Sequence, residues 1–578
     1  MAILFYNVFY NVYILWTPLL RKNGVLSLYG IIHAEKLNVQ RGLWSIKNQD
    51  LSKKFLKGAF ILTLSSVFIK ILSALYRIPY QNIVGDVGFY IYQQVYPFYS
   101  LILALGTYGF PVVIAKLLAE ADEKNSRFTR TEVITASWAT LGCFSLLLFL
   151  WLFSYAGTIA GFMNDERLED SIKLVSFTFL YLPVLSIAKG SFQSGGEMRP
   201  TAVSQVIDQT IRVGFILVSC YSFYRFGLSP YEAAEGAYKG SIAGGLAGCI
   251  VLAAYWLRFR RRRPIRFSGI RVKKFLPLVK KIMGQGIVFA ISSLVLVFIQ
   301  FLDALFLYPL LTDSGHGVLE AKQLKGVFDR GQPLIQMATA AIISISLTMV
   351  PLVSKFNLER NMEMVRYYTE LAFRLSLMLG LPAALGLFWL MEPVNIALFT
   401  DANGSAALRI LVLSILFGSL VMTGMFVLQS LNRSWISCVI IGIGLAVKCC
   451  LMLLLVPEFS IIGAAISTTA AFAVMNILLF AAIRRVFGKS VIRRKTVYLT
   501  FFAAGCMSIM LGAGLFAFRF LGKHIESGRL MSWAEVLAMV SAGAVLYIVI
   551  IIRKGLFTLE EIEMLPMGSK IKRILPNK

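Results

Sequence analysis

Lys70 and Arg77 are the only charged residues in the apolar run GAFILTLSSVFIKILSALYRI. Seven residues is two helical turns, so the two side chains share one face. A charge in hydrocarbon costs about 2.5–3.5 kcal/mol even on the gentler insertion scale, so such side chains turn toward protein or water. Lys70 lies about 18 Å along its helix from Gly58, too deep to reach the interface by extending. Arg77 is nearer the far end. Cations in a cavity attract an anion, and guanidinium groups match phosphate oxygens in pairs. Lys189, in AKGSFQSGGEMRP, falls one turn from the end of its run, where it can extend to the interface or meet a substrate. SQVIDQTIRV places Asp208 and Arg212 at i, i+4, a local ion pair that still leaves Arg212 donors for a cavity. Later runs hold Asp303, Arg374 and Lys448, with Arg330 just before one of them. The substrate-binding candidates are therefore Lys70, Arg77, Lys189, Arg212 and Arg330. Asp208 and Asp303 are candidates for a coupling site or a structural ion pair.

The elements that must position these residues follow from composition. Of 578 residues, 57% are hydrophobic and 15% charged, the balance of an integral membrane protein. The net charge of +27 gathers in short links between apolar runs, where it orients helices against anionic lipid rather than binding nucleic acid. Runs long enough to cross a bilayer begin near 57–78 and end near 531–552. We read fourteen, including 283–309 as the seventh and 332–354 as the eighth. In lipid the backbone must satisfy its own hydrogen bonds, so the runs are helices. Lys and Arg crowd the even-numbered links, whereas an odd-numbered link reads NDERLED; both termini are then cytoplasmic. FIKILSALY at Phe68–Tyr76 aligns with FIQFLDALF at Phe298–Phe306, which suggests a repeat of six helices in parallel orientation. The expected division is an N-terminal extension over 1–52, a first lobe over 53–257, a basic cytoplasmic linker over 258–282, a second lobe over 283–483, two further helices over 484–555 and a tail over 556–578. The extension is read either as non-native sequence from an upstream start or as an extra helix.

Three histidines, His33, His316 and His524, are scattered, and no Gly-rich Lys loop for ATP occurs. The seven cysteines sit in or beside apolar runs without metal-type spacing. A membrane enzyme such as a sugar-lipid polymerase or ligase is thus disfavoured, and no cofactor or metal is expected.

Three stretches carry a family resemblance: KGAFILTLSSVFIKILSALYRIPYQNIVGDVGFYIYQQVYPFY, KGSFQSGGEMRPTAVSQVIDQTIRV and DRGQPLIQMATAAIISISLTMVP. They resemble the stage V sporulation protein B-like polysaccharide transporters of the multidrug/oligosaccharidyl-lipid/polysaccharide exporter superfamily, relatives of the MurJ-type flippases of lipid II. The likeness spans about residues 53–555. It implies an all-α integral membrane fold of fourteen transmembrane helices, two six-helix bundles in a V-shaped arrangement plus two C-terminal helices. It further implies alternating access, with a polyprenyl-pyrophosphate-linked saccharide carried from the cytoplasmic to the outer leaflet of the bacterial cell membrane. Lys70 and Arg77 occupy places comparable to the cavity-lining basic residues of that family's first helix, with Lys where the family has Arg. Membrane potential, Na+ or H+ would supply the energy. A drug/cation antiporter of the same superfamily is the alternative, and would need cavity carboxylates.

Overall fold

The computed structural model describes residues 65–556, apart from 67, 123–125, 261–271, 489–490 and 522–527. The extension over 1–52, the centre of the basic linker and nearly all of the tail lie outside the described residues. The described chain is helical and contains no strand. We label the main helices α1 (Phe68–Ala121), α2 (Arg130–Ser154), α3 (Glu166–Ser194), α4 (Arg199–Phe226), α5 (Pro230–Arg258), α6 (Lys274–Ser293) and α7 (Val295–Asp313). Then come α8 (Val318–Asp329) and α9 (Gly331–Leu358). The chain continues through α10 (Met362–Phe399), α11 (Ser405–Ser430), α12 (Ser434–Phe487), α13 (Arg494–Phe518) and α14 (Arg529–Arg553).

Among the described residues twelve helices are long and apolar enough to cross a membrane, all of these except α8 and α9. The fourteen crossings expected from sequence are not reproduced as a count, for two physical reasons. First, α1 and α12 are each 54 residues long, about 80 Å if straight, against a hydrocarbon core of about 30 Å. Each is a hairpin. Gly85 breaks α1 at φ 76°, ψ 179°, and Tyr76 Oη meets Tyr92 Oη at 2.6 Å across sixteen residues that a straight helix would spread over about 24 Å. Ser460 breaks α12 at φ 51°, and Lys448 Nζ reaches Thr468 Oγ1 at 3.0 Å. Second, the expected seventh span falls across both α6 and α7, which meet at a kink at Leu294. The expected eighth span falls in α9, which is 28 residues long.

Local sequence explains the ends. Thr129 and Glu132 form a reciprocal capping box at the start of α2, Asn361 caps α10 through Met364 N, and Gly227 takes the left-handed conformation that closes α4. Helices α4 and α5 pack along one another, and α2, α3 and the second arm of α1 form a neighbouring group. In the later chain α10 is central, touching α9, α11, α13 and α14. The two groups meet where α1 packs on α7, α8 and α10, and where α6 lies against α1 and α2 on one side and α11 and α12 on the other.

Candidate anion-binding cavity

A cavity of about 210 Å³ opens between the early and late helices. α1 contributes Lys70, Ser73 and Tyr96, α4 contributes Asp208 and Arg212, and α7, α9 and α11 supply the facing wall. Lys70 lines it with no carboxylate partner among the described residues. Arg212 is 1% exposed; its Nη2 donates to Gln209 Oε1 at 2.5 Å, while Nε and Nη1 have no hydrogen-bond partner. Arg77, fully buried, stands just behind the lining. Its Nη1 donates to Gln336 Oε1 at 3.0 Å, leaving Nε and Nη2 unpartnered.

Aromatic rings hold the two guanidinium groups in place of carboxylates. Arg77 stacks 4.3 Å from the Tyr96 centroid and Arg212 stacks 4.8 Å from Tyr99, with Tyr76 between them at 5.9 and 5.8 Å. Such contacts are worth about 0.5–2 kcal/mol each, less than an ion pair would return to a buried charge. The sequence spacing explains the arrangement: Tyr92, Tyr96 and Tyr99 fall at i, i+4, i+7 on one face of the returning arm of α1.

The remaining candidates are placed as follows. Lys189 is buried but does not line the cavity; its Nζ donates to Gly106 O at 3.2 Å and Thr107 Oγ1 at 3.1 Å. Gly106 lies in the π-helical turn Leu105–Gly109, which frees carbonyls from the helix ladder. Asp208 lines the cavity, yet the expected local pair with Arg212 does not form: the guanidinium turns to Gln209 and Tyr99, and Asp208 Oδ1 has no hydrogen-bond partner. Four buried or cavity-lining cations on the early helices, Lys70, Arg77, Lys189 and Arg212, thus face one carboxylate, Asp208.

Arg330 is not brought to the cavity. It sits at the joint between α8 and α9, where Nε and Nη2 bind the two Asp86 oxygens at 2.8 and 2.6 Å and Nη1 and Nη2 bind Asp401 at 2.8 Å each. This tie joins α1 to the α10–α11 connection. Asp401 lies outside the spans; burial works against its ionisation, but hydrogen bonds from Arg330 and from Asn403 N–H outweigh it and hold the carboxyl below its ordinary value. Nearby, Lys322 pairs with Asp165 at 2.8 Å, and Tyr90 and Tyr231 donate to the same carboxylate. Asp303, in the π-turn Asp303–Leu307, pairs with Lys448 at 2.6 Å, both buried.

Sequence reasoning missed the Lys325–Asp329 pair, which binds at 2.7 and 2.6 Å. The i, i+4 spacing was visible, but the segment reads as a loop between spans and is instead α8. It also missed Asp86, Asp165 and Asp401, because a carboxylate near a span end looks like surface until its partner is known. The neutral residues of the far wall carry no charge signal at all.

Residues 55–357 match the family model described as polysaccharide biosynthesis protein. The chain belongs to that family. An uncharacterized membrane protein of Bacillus subtilis, YabM, is 37% identical over 521 residues, 90% of this chain and 96% of the relative. The stage V sporulation protein B of the same organism is 23% identical, covering 89% of this chain and 98% of the relative. Its lipid II flippase MurJ is also 23% identical, covering 78% and 87%. Among solved structures, a MurJ lipid II flippase in an inward closed conformation superposes with a TM-score of 0.60 at 12% identity, over 86% of this chain and 97% of that one. An inward-facing multidrug resistance transporter of the MATE family and MOP superfamily gives 0.58 at 16%, over 74% and 98%. The resemblance to stage V sporulation protein B-like transporters read from the sequence is thereby borne out. The protein is a multi-pass membrane protein with a MurJ- and MATE-like fold, homologous to a flippase.

Proposed function

We propose that this chain is a flippase that carries a polyprenyl-pyrophosphate-linked saccharide across the bacterial plasma membrane by alternating access. The observation that supports this reading most strongly is the pair of unpartnered guanidinium donors of Arg212 beside Lys70 in a cavity between the early and late helices, with those of Arg77 just behind its lining. A diphosphate supplies the acceptors those donors lack, and charge-assisted hydrogen bonds of this kind are worth about 1.5–3 kcal/mol each. In this scheme Lys70 and Arg212, which line the cavity, bind the diphosphate directly, and Arg77, fully buried behind the lining, adds its charge through Gln336. Lys189 shapes the turn behind the wall, and Arg330 works as a tie rather than a substrate ligand. The helices before residue 258 and those of 283–483 act as two lobes joined by the basic link, with 484–555 outside the repeat. In this reading both termini are cytoplasmic, which the excess of Lys and Arg in the even-numbered links supports. The end bearing Asp86, Asp165, Lys322, Arg330 and Asp401 then faces outward, and its ion pairs hold the cavity shut on that side.

A drug/cation antiporter is the second reading, favoured by the MATE likeness and by Asp208 in the lining. One carboxylate among several cations suits a cationic drug poorly. Either transporter takes its energy from membrane potential or from an Na+ or H+ gradient. Reconstitution in liposomes carrying a fluorescent polyprenyl-diphosphate saccharide tests the reading. Translocation by the intact chain, lost in the Lys70→Ala/Arg212→Ala variant, is expected; transport of cationic dyes with no effect on the lipid would refute it.

A further inference from the structure

Beside the cavity lies a second, much smaller chamber of about 10 Å³, and Tyr96 and Gln300 line both. Its other walls include Asp303 from α7, Lys325 and Asp329 from α8, and Gln93 from the returning arm of α1, all buried. Lys325 Nζ meets both Asp329 oxygens, and Lys448 on α12 meets Asp303 Oδ1. Two carboxylates and two ammonium groups cancel, so this group carries no net charge.

Its hydrogen bonding is not balanced in the same way. Asp303 Oδ2 and Gln93 Oε1 are buried acceptors with no hydrogen-bond partner among the described residues. The donors nearby are spent: Lys325 on Asp329, the Gln300 NH2 on Gln332 Oε1, and Lys448 on Ile299 O and Thr468 Oγ1. Buried acceptors without a donor are costly, so the chamber lacks a donor. It has room for one water at most, since a water needs about 10–15 Å³. A Na+ ion would bring a charge that no carboxylate is left to neutralise. A proton on a carboxylate needs no room and turns an acceptor into an O–H donor.

Asp329 is the carboxyl placed to take it. The residue ends α8, outside the spans, and burial pushes it up to about 6 against the pull of Lys325. The charged and titratable groups around it are Lys325 on its own helix, Asp303 on α7, Lys448 on α12, Arg77, Asp86 and Tyr96 on α1, and Arg330 at the joint with α9. Once Asp329 is neutral, Lys325 has lost its counter-charge, and one positive charge is added next to the cavity. An anion in the cavity and a proton on Asp329 then stabilise one another, and the linkage is reciprocal.

Resting on the diphosphate reading above, we propose that Asp329 and Asp303 form a proton-binding site linked to the cavity, so that a diphosphate binds together with a proton taken up on Asp329. The test uses the full chain in detergent and farnesyl diphosphate-linked N-acetylglucosamine, whose two esterified phosphates hold a fixed charge across the pH range. Calorimetry should show affinity falling on the order of tenfold from about pH 5 to about pH 8. In buffers of different ionisation enthalpy, the heats should report uptake of part of a proton per probe bound. The Lys325→Met/Asp329→Asn pair, which leaves no unmatched charge, should bind with no such pH dependence, whereas Asp208→Asn should keep it. Equal wild-type affinity at both pH values overturns the proposal. So does a pH dependence that survives in the folded pair, or one that Asp208→Asn removes, which decides even if the pair fails to fold. Affinity raised by Na+ without proton uptake overturns it in favour of a metal ion. Failure of the probe to bind at any pH, or its indifference to Lys70→Ala/Arg212→Ala, overturns instead the diphosphate reading beneath.

Discussion

Replacing Arg330 by Gln should release the end of the molecule that it ties. In the closed arrangement its guanidinium is fully buried and makes four charge-assisted hydrogen bonds to two carboxylates, Asp86 on α1 and Asp401 after α10. Removing one member of a buried network costs about 3–5 kcal/mol because the remaining charges stay uncompensated. The Asp86 and Asp401 side chains are 17% and 36% exposed, so water recovers part of that and the lower bound of about 3 kcal/mol applies. With the helices separated, all three groups are hydrated and the substitution costs nothing comparable. The closed-to-open ratio should therefore fall by roughly a hundredfold, since about 1.4 kcal/mol is a factor of ten. Spin labels on the exposed positions Glu166 and Ala402 report the separation by pulsed electron resonance. The wild type should give one short distance, and Arg330→Gln a second, longer population that dominates. Unchanged distances in a folded Arg330→Gln protein would refute the idea that this ion pair holds the two groups of helices together.

The same tie sets a pH dependence. Asp401 is held below its ordinary value of 3.8, so its contribution is fully present above that value and fades only as pH falls through the lower, folded value. The labelled distance should stay constant from pH 5 to 8 and lengthen only below about 3.8, and Asp401→Asn should abolish that acid limb. Arg212→Ala should weaken diphosphate binding by about 1.5–3 kcal/mol in calorimetry, and Arg212→Lys should not restore it, since the ammonium lacks the planar fork. Asp303→Asn should lower thermal stability in detergent by about 3–5 kcal/mol by leaving Lys448 unmatched, and the Asp303→Asn/Lys448→Met pair should recover most of it.

How far the sequence was legible depended on whether the signal was local. Apolar runs and charge-rich links expose helical class and span positions, because solvation by lipid acts on each segment separately. Lys70 and Arg212 stood out for the same reason: a cation in an apolar run is costly wherever the chain folds. Arg330 stood out equally, and its role was misread, because its partners Asp86 and Asp401 are 244 and 71 residues distant. The Asp208–Arg212 spacing permits a pair, but Tyr99 and Gln209 compete for the guanidinium, and only packing decides between them. The repeat of FIKILSALY in FIQFLDALF already sets Gln300 in the place of Lys70, whereas Gln336 and Thr339 were invisible because nothing about an amide or a hydroxyl in a helix demands explanation.

Asp329 and Arg330 are consecutive, yet they serve different neighbourhoods. Asp329 joins Lys325, Asp303 and Gln300 in a tight polar knot that borders the cavity, and Arg330 clasps the distant Asp86 and Asp401. The polar knot beside the cavity and the clasp on Asp86 and Asp401 are therefore built on one short stretch of chain, the joint between α8 and α9.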